Sequence, residues 1–393
     1  MIYYFAILFL LILIYLYFRN NKNIYILDFT VYEPSSSNNI VTIDRFKQLQ
    51  RLPSLTFSNE SLEFMDKLID RNGLGETTLF PDSILHHNPP QLNLQHARQE
   101  AEQVIFSILD DLFLRTGVGP MDIDVLIVNC SLFSPTPSLT SMIVNKYKMK
   151  ESILTYNLSG MGCSASLISI HLARELLTNH NKIALVVSTE NITQNWYKGN
   201  DKSMLISNTL FRMGGAAILL SNHKQKAKYK LSNIVRTHCG SNDNSYQSVF
   251  QDTDKDGHVG VRLDKNISSI AGLAITKNIK TLAKLVLPYY EQLQYLLNKK
   301  KIFDINTLAQ HFCIHAGGKG ILDGLQLSLK LTNEQIRASR ETLLHYGNVS
   351  SASIWYELKW LERQHGRIHK KDKIFQLSFG SGFKCNSAIW QCI

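Results

Sequence analysis

Asn157-Leu158-Ser159-Gly160-Met161-Gly162-Cys163-Ser164-Ala165-Ser166 sets a single cysteine on a glycine-rich hinge. Upstream, Ile153-Leu154-Thr155-Tyr156 predicts a short buried strand. Downstream, Leu167, Ile168, Ile170, Leu172, Ala173, Leu176 and Leu177 recur at mostly helical spacing, which predicts the apolar face of a helix. A thiol at this junction lies near unpaired N–H groups at the positive end of the helix. Those groups favour the thiolate, which is the nucleophilic form. A buried structural cysteine on a tight turn is the competing reading. The glycines on both sides of Met161 favour the nucleophile, because they let backbone amides approach a reacting carbonyl.

The chain around this hinge has 393 residues, 44% of them apolar, enough for one large domain or two fused ones. Its net charge of +10 and pI near 9.2 suit an anionic partner: a nucleic acid, a membrane surface or a polyphosphate cofactor. No Lys/Arg run alternates with aromatics and no zinc-finger or RNA-binding signature occurs, so no nucleic-acid partner is expected. The cysteines at 130, 163, 239, 313, 385 and 392 form no CxxC pair. That pattern indicates neither a disulfide framework nor a zinc site, and it favours a reducing compartment.

Residues 1–18 read as a transmembrane anchor. Ile2 to Phe18 is an uncharged apolar run closed by Arg19 and Lys22. As a helix it spans about 25 Å, close to the thin hydrocarbon core of the endoplasmic reticulum. A cleaved signal peptide needs basic residues before the run and small residues after it, and both are missing. Tyr3, Tyr4, Tyr15 and Tyr17 fit an interfacial belt, and the basic C-terminal flank predicts a cytosolic catalytic domain on the endoplasmic reticulum membrane. Asn59, Asn157, Asn191, Asn266 and Asn348 begin N-x-S/T triplets. Two of them, Asn157 and Asn348, fall in segments assigned to the active site, where a glycan has no room.

Residues 19–45 read as a polar connector ending in Pro34-Ser35-Ser36-Ser37-Asn38-Asn39. After a loose His86-His87-Asn88-Pro89-Pro90 segment, a helical pattern runs from Leu94 to Leu114. Strand and helix patterns then alternate: Asp124–Val128, Thr140–Tyr147, 153–158, 164–178, Lys182–Ser188 and Gly215–Leu220. This alternation means an α/β fold with a largely buried sheet. The second half repeats the plan. Gly162-Cys163-Ser164-Ala165-Ser166-Leu167-Ile168 pairs with Asn348-Val349-Ser350-Ser351-Ala352-Ser353-Ile354, each followed by an amphipathic helix and then a strand, Ile183–Val187 or Ile374–Leu377. A duplication places two such turns on opposite sides of a pseudo-twofold axis, converging on one site. The halves are expected at residues 46–227, carrying the cysteine, and 228–393.

Three further segments belong with Cys163: His311-Phe312-Cys313-Ile314-His315-Ala316-Gly317-Gly318, His345-Tyr346-Gly347-Asn348-Val349-Ser350-Ser351 and Phe379-Gly380-Ser381-Gly382-Phe383. With Asn195–Asp201, Leu210–Ala217 and Phe379–Trp390, they resemble the thiolase-superfamily condensing enzymes. Within these, the chain resembles the membrane-bound 3-ketoacyl-CoA synthases of very-long-chain fatty acid elongation, from about Leu27 onward.

The resemblance implies a duplicated αβαβα layered fold and a catalytic set of Cys163, His315 and Asn348. It implies an oxyanion hole from the Cys163 amide and the Gly380-Ser381-Gly382 loop, and a reaction between a long-chain acyl-CoA and malonyl-CoA that needs no metal and no cofactor. Membrane lipid, a second copy of the chain in a homodimer, and reductases and a dehydratase of an elongase complex are the implied partners. His238 also matches a family histidine, and His311 reads as a supporting residue: on a strand it lies about 13 Å from His315, so the two cannot share an ion. Where many family members carry His or Tyr before an Arg-Phe-Gly-Asn run, this chain has Leu344-His345-Tyr346-Gly347-Asn348, which argues against an extra catalytic histidine there. The family usually has two N-terminal spans and this chain shows one. A membrane-tethered type III polyketide synthase-like enzyme shares the triad and is the alternative. An inactive scaffold has no need for all three residues.

Asp252-Thr253-Asp254-Lys255-Asp256-Gly257 imitates the start of an EF-hand loop, but its twelfth position is Leu263 and no helical patterns flank it. Lys299-Lys300-Lys301 and Lys370-Lys371 read as solvated faces that can also steer CoA phosphates or meet anionic lipid.

Overall fold

The computed structural model describes residues 23–33, 37–177, 182–287 and 305–393, with Tyr4, Ile7, Phe9 and Leu10. Its strands are β1 (Tyr25–Val31), β2 (Ile40–Val41), β3 (Thr78–Leu79), β4 (Val125–Asn129), β5 (Leu154–Leu158), β6 (Ile183–Thr189), β7 (Gly215–Ser221), β8 (Tyr229–His238), β9 (Val249–Thr253), β10 (Val259–Leu263), β11 (His311–Ile314), β12 (Lys373–Gly380) and β13 (Lys384–Cys392). The helices that matter for the site are α1 (Leu94–Thr116), α2 (Leu139–Tyr147), α3 (Ala165–Leu176), α4 (Ile267–Val286), α5 (Lys319–Leu329), α6 (Asn333–Tyr346) and α7 (Ser353–Arg363).

Nine strands join in the order β11-β12-β13-β8-β1-β7-β6-β4-β5. In the first half β4 runs parallel to β6, which is antiparallel to β7, which is antiparallel to β1. In the second half β11 runs parallel to β12, which is antiparallel to β13, which is antiparallel to β8. The two series repeat one another in order and direction. They meet only where Tyr25 faces Lys230 and Ile26 faces Tyr229.

Alternating side chains of these strands feed two cores. Ile26, Val125 and Ile127 of the first half and Ile234, Ile374 and Trp390 of the second bury one face against α3 and α7, through Leu167, Ile170, Ile354 and Leu358. The opposite faces bury Leu185 and Leu219 under α1, and Val235 and Cys385 under α4. Helix, sheet, paired central helices, sheet and helix therefore stack as five layers. Central α3 and α7 are apolar over much of their circumference because sheets cover them on both sides.

Several expectations change. Residues 25–31, read as connector, form a buried strand in the middle of the sheet. The run Tyr25-Ile26-Leu27-Asp28-Phe29-Thr30-Val31 has strand composition despite its acid, and Asp28 is offset by Arg115 at 3.1 Å and Lys228 at 2.7 Å. Strand β5 forms as expected but is largely exposed, because it is the sheet edge. The internal repeat is real in the backbone but registers differently. A single 3-10 turn opens each central helix, Gly162–Ser164 before α3 and Ser350–Ala352 before α7. Gly162 thus corresponds to Ser350 and not to Asn348, because short small-residue turns give a sequence comparison little to lock onto. No helix among the described residues is long and apolar enough to cross a membrane. The Ile2–Phe18 run lies outside the described residues save for Tyr4, Ile7, Phe9 and Leu10, which are helical and exposed. Lys299-Lys300-Lys301 also lies outside them.

The EF-hand-like segment is the turn of the β9–β10 hairpin. Asp254 accepts hydrogen bonds there from Tyr197 Oη at 2.5 Å and from the amides of Asp256 and His258, so the acids serve the turn.

Candidate active site

Cys163 sits in the 3-10 turn ahead of α3, and the loop after β12 closes over it. Two glycines allow that approach. Gly162 has φ +58°, and a Cβ on it would meet the Ser381 amide nitrogen at 2.8 Å; a Cβ on Gly380 would lie 2.6 Å from the Cys163 nitrogen. Amides of the two halves are thereby packed side by side, as an oxyanion hole requires. Asn386 Nδ2 donates to Ser164 O at 3.0 Å and ties the turn to β13.

His315 follows β11, which runs parallel to β12 and delivers the ring to the same end of the sheet. The Ile314 amide just before it donates to Ser339 Oγ, which donates to the buried Glu357. Burial pushes the Glu357 carboxyl well up, against the hydrogen bond from Ser339. His315 is buried edge-on against Phe379 at 5.4 Å. Its Nδ1 has no hydrogen-bond partner among the described residues. Burial pulls its pKa down to about 3, so the ring is neutral at physiological pH.

Asn348 lies beyond α6. Its backbone is clamped from Leu210 to Arg212: its N–H donates to Leu210 O at 3.1 Å and its C=O accepts from Arg212 N at 3.0 Å. Its Oδ1 accepts from the Ser350 amide at 2.9 Å, which assigns Nδ2 as the outward donor, 3.2 Å from Gly317 O. Gly317 in turn flanks His315 Nε2, within 3.4 Å of where its Cβ would be. Cys163, His315 and Asn348 line one cavity of about 400 Å³, with the β9–β10 hairpin as a wall through Val249, Phe250 and Val261.

Three residues at the site escape sequence reasoning. Glu190, after β6, is buried and accepts from the Leu132 amide at 3.0 Å, the Ser131 amide at 3.3 Å and Cys130 Sγ at 3.4 Å. Burial raises its pKa. Ser350 Oγ lies 3.1 Å from Glu190 Oε2 and 3.7 Å from Cys163 Sγ. Its backbone has φ +54°, a strained setting for a non-glycine residue that aims its hydroxyl between them. Arg212 is buried over the Phe80 ring at 4.5 Å and donates to Phe211 O at 2.8 Å, bracing the segment that clamps Asn348. The signals available were Ser350's place in the repeated turn and Arg212's place in the Leu210–Ala217 block; Glu190, in Ser188-Thr189-Glu190-Asn191, carried none.

The reactive-thiolate expectation needs revision for the resting protein. Burial pushes the Cys163 thiol up to about 12, and the Glu190 charge adds to it; the Ser350 hydroxyl and the Cys163 amide pull the other way. Short-range desolvation outweighs the helix terminus. The two supporting histidines fall outside the cavity lining. His311 lies at the far end of β11, with Nε2 3.0 Å from Asp372. His238 ends β8 opposite Lys384 in an exposed position, and its Nδ1 accepts from the Gly240 amide at 3.0 Å. His345 is exposed on the last turn of α6, beside Glu341 and Thr77.

The buried imidazole has a stability consequence. His315 titrates near 3 when folded and near 6.5 when unfolded, so the unfolded chain binds its proton first and stability falls as pH drops from about 6.5 towards 3. His315→Phe lacks that proton uptake. Denaturant titrations at pH 4 and pH 7.5 should show the variant gaining on the parent in acid only.

Five layers in two repeated halves, with a cysteine, a histidine and an asparagine lining one cavity, define the thiolase-like class of fold. Among solved structures, the type III polyketide synthase domain of Steely1 from Dictyostelium superposes with a TM-score of 0.75 at 19% identity, covering 94% of this chain and 99% of that one. Tetrahydroxynaphthalene synthase from Streptomyces coelicolor gives a TM-score of 0.75 at 20% identity, again over 94% and 99%. The family described as FAE1/type III polyketide synthase-like protein matches residues 15–302, and the C-terminal domain of chalcone and stilbene synthases matches residues 260–393. From Arabidopsis thaliana, 3-ketoacyl-CoA synthase 5 is 50% identical over 94% of this chain and 78% of its own length, and 3-ketoacyl-CoA synthase 17 is 51% identical over 94% and 78%. The chain belongs to the 3-ketoacyl-CoA synthase family.

Proposed function

We propose that the protein condenses a long-chain acyl-CoA with malonyl-CoA, releasing CO₂ and CoA and giving a 3-oxoacyl-CoA two carbons longer. The observation that carries this reading is the convergence of Cys163, His315 and Asn348 on one largely apolar cavity. The Cys163 thiolate attacks the acyl thioester, and the oxyanion lies against the Cys163 and Ser381 amides while CoA departs. Malonyl-CoA then loses CO₂. The enolate oxygen accepts hydrogen bonds from neutral His315 Nε2–H and from Asn348 Nδ2, and the enolate carbon attacks the acyl-cysteine. Decarboxylation itself supplies the carbanion, so these steps call for no metal, cofactor or carboxylate base at the carbon.

The apolar hairpin wall suits an alkyl chain. Val261 lines both the main cavity and a smaller one of about 30 Å³ behind it, bounded by Trp196 and Ile192, so an extended chain passes this side chain. Val261→Phe should lower turnover of the longest accepted starters about tenfold relative to the shortest. A panel of acyl-CoAs with labelled malonyl-CoA reads that ratio and the product. One extension per starter supports the elongation reading, and a cyclised polyketide sinks it.

We further infer that Ile2–Phe18 anchors the enzyme to the endoplasmic reticulum with the catalytic body in the cytosol, next to its lipidic substrates. The exposed edge strand β5, a few residues from Cys163, suits pairing with a second copy in a homodimer. The 3-oxo product requires a ketone reductase and a dehydratase before another round.

A further inference from the structure

Among the described residues, the polar side chain within reach of Cys163 Sγ is the Ser350 hydroxyl, at 3.7 Å, and the same hydroxyl oxygen is 3.1 Å from Glu190 Oε2. A hydroxyl has one proton and cannot donate both ways. The chain of contacts therefore has two consistent states. In one, the thiol donates to Ser350 and Ser350 donates to the Glu190 carboxylate. In the other, a protonated Glu190 donates to Ser350 and Ser350 donates to the thiolate. They differ by one proton moved from Cys163 to Glu190.

We propose that Ser350 and Glu190 form a proton relay for Cys163, in which Glu190 takes up the thiol proton through Ser350 during acyl transfer and returns it during condensation. The inference rests on the condensing reading and supplies its missing base. In acyl transfer the S–H proton passes to Ser350 Oγ as the Ser350 proton passes to Glu190 Oε2. The thiolate forms a new C–S bond, the thioester bond to CoA breaks with its electron pair on the CoA sulfur, and that sulfur takes a proton from solvent. In condensation the enolate carbon forms the C–C bond and the acyl–Sγ bond breaks onto sulfur. The resulting Cys163 thiolate recovers the proton from Glu190 through Ser350. Over the cycle one solvent proton is consumed, as decarboxylative condensation requires.

Electrostatics favour this route over His315. Moving a proton from Cys163 to Glu190 relocates one buried negative charge and creates no new one, whereas moving it to His315 creates two opposite charges from two neutral groups. Burial opposes charge on that ring. Glu190 is poised between the two states: burial raises its pKa, the Leu132 and Ser131 amides with the Cys130 and Ser350 side chains pull it down, and no lysine or arginine pairs with it among the described residues. The titratable groups facing it are Cys130, from the segment after β4, Cys163, and the buried Glu100 of α1, which titrates near 7. A neutral Glu190 in the acyl-enzyme also removes a buried negative charge facing the incoming malonyl carboxylate and the enolate.

The test is the pH profile of Cys163 alkylation by iodoacetamide without substrate, read by mass spectrometry of the Cys163 peptide. The chains are the full-length parent, Glu190→Gln, Glu190→Asp, Ser350→Ala and the double variant combining Glu190→Gln with Ser350→Ala. The relay predicts that Glu190→Gln and Ser350→Ala each slow alkylation at pH 7 about tenfold, one pKa unit. The double variant should be no slower than either, and Glu190→Asp should recover part of the rate. A Glu190 that contributes charge alone gives the opposite result, because removing a carboxylate beside the thiol lowers its pKa and speeds alkylation. Faster or unchanged alkylation in Glu190→Gln overturns the relay. Alkylation needs no acyl-CoA, so the relay stands or falls independently of a failed condensation assay. In that assay, CoA release should fall in step with alkylation while malonyl-CoA decarboxylation stays within about twofold; equal loss in both overturns the relay.

Discussion

Cys163→Ala should abolish acyl transfer, lowering CoA release from a long-chain acyl-CoA by about 10³-fold or more, while the protein remains folded. The alanine removes only the sulfur. The backbone that builds the site is untouched: the Gly380 approach to the Cys163 nitrogen and the Asn386 bond to Ser164 O involve main-chain atoms of the turn. Loss of one thiol costs little packing, so thermal unfolding should shift by no more than a few degrees. Because the donors that His315 and Asn348 offer the enolate do not involve the sulfur, the variant should still decarboxylate malonyl-CoA. Radiolabelled CO₂ release separates the half-reactions, and full acyl transfer by the alanine variant would refute the assignment of the nucleophile.

Asn348→Asp should produce the complementary defect, with malonyl-CoA decarboxylation falling about 10²- to 10³-fold and the acyl-transfer burst nearly preserved. Aspartate keeps the acceptor that holds the Ser350 amide at 2.9 Å, so the turn retains its main tie. What disappears is the Nδ2 donor, replaced by an oxygen that faces Gly317 O and repels the developing enolate. Equal loss in both half-reactions would count against a selective role in enolate formation.

Much of the fold was legible because its long elements follow simple periods. α1 and α3, and strands β4, β6 and β7, fall within a few residues of their sequence patterns, as each buries a regular apolar face. β1 was not, since a strand carrying Asp28 next to Asn-rich sequence looks polar until its partners, Arg115 and Lys228, arrive from distant segments. Cys163, His315 and Asn348 stood out through their glycine-rich settings and the family resemblance. Glu190 and Ser350 did not, because their meaning lies in a contact spanning 160 residues of chain. The state of the thiol was illegible for the same reason: helix position is local, whereas burial is the product of the whole assembly.

The interlock of Gly162 with Ser381 and of Cys163 with Gly380 has a consequence for biogenesis. The nucleophile belongs to the early part of the chain, and the loop that covers it belongs to the last two strands. At a translation rate of about 5–20 residues per second, roughly 10–40 s separate the synthesis of the cysteine from that of its cover. Throughout that interval the nascent chain carries a thiol without the loop that completes its oxyanion pocket. Activity is thus a property switched on only by completion of the polypeptide, and a ribosome stalled anywhere before β12 yields an inert thiol protein instead of a leaky acyltransferase.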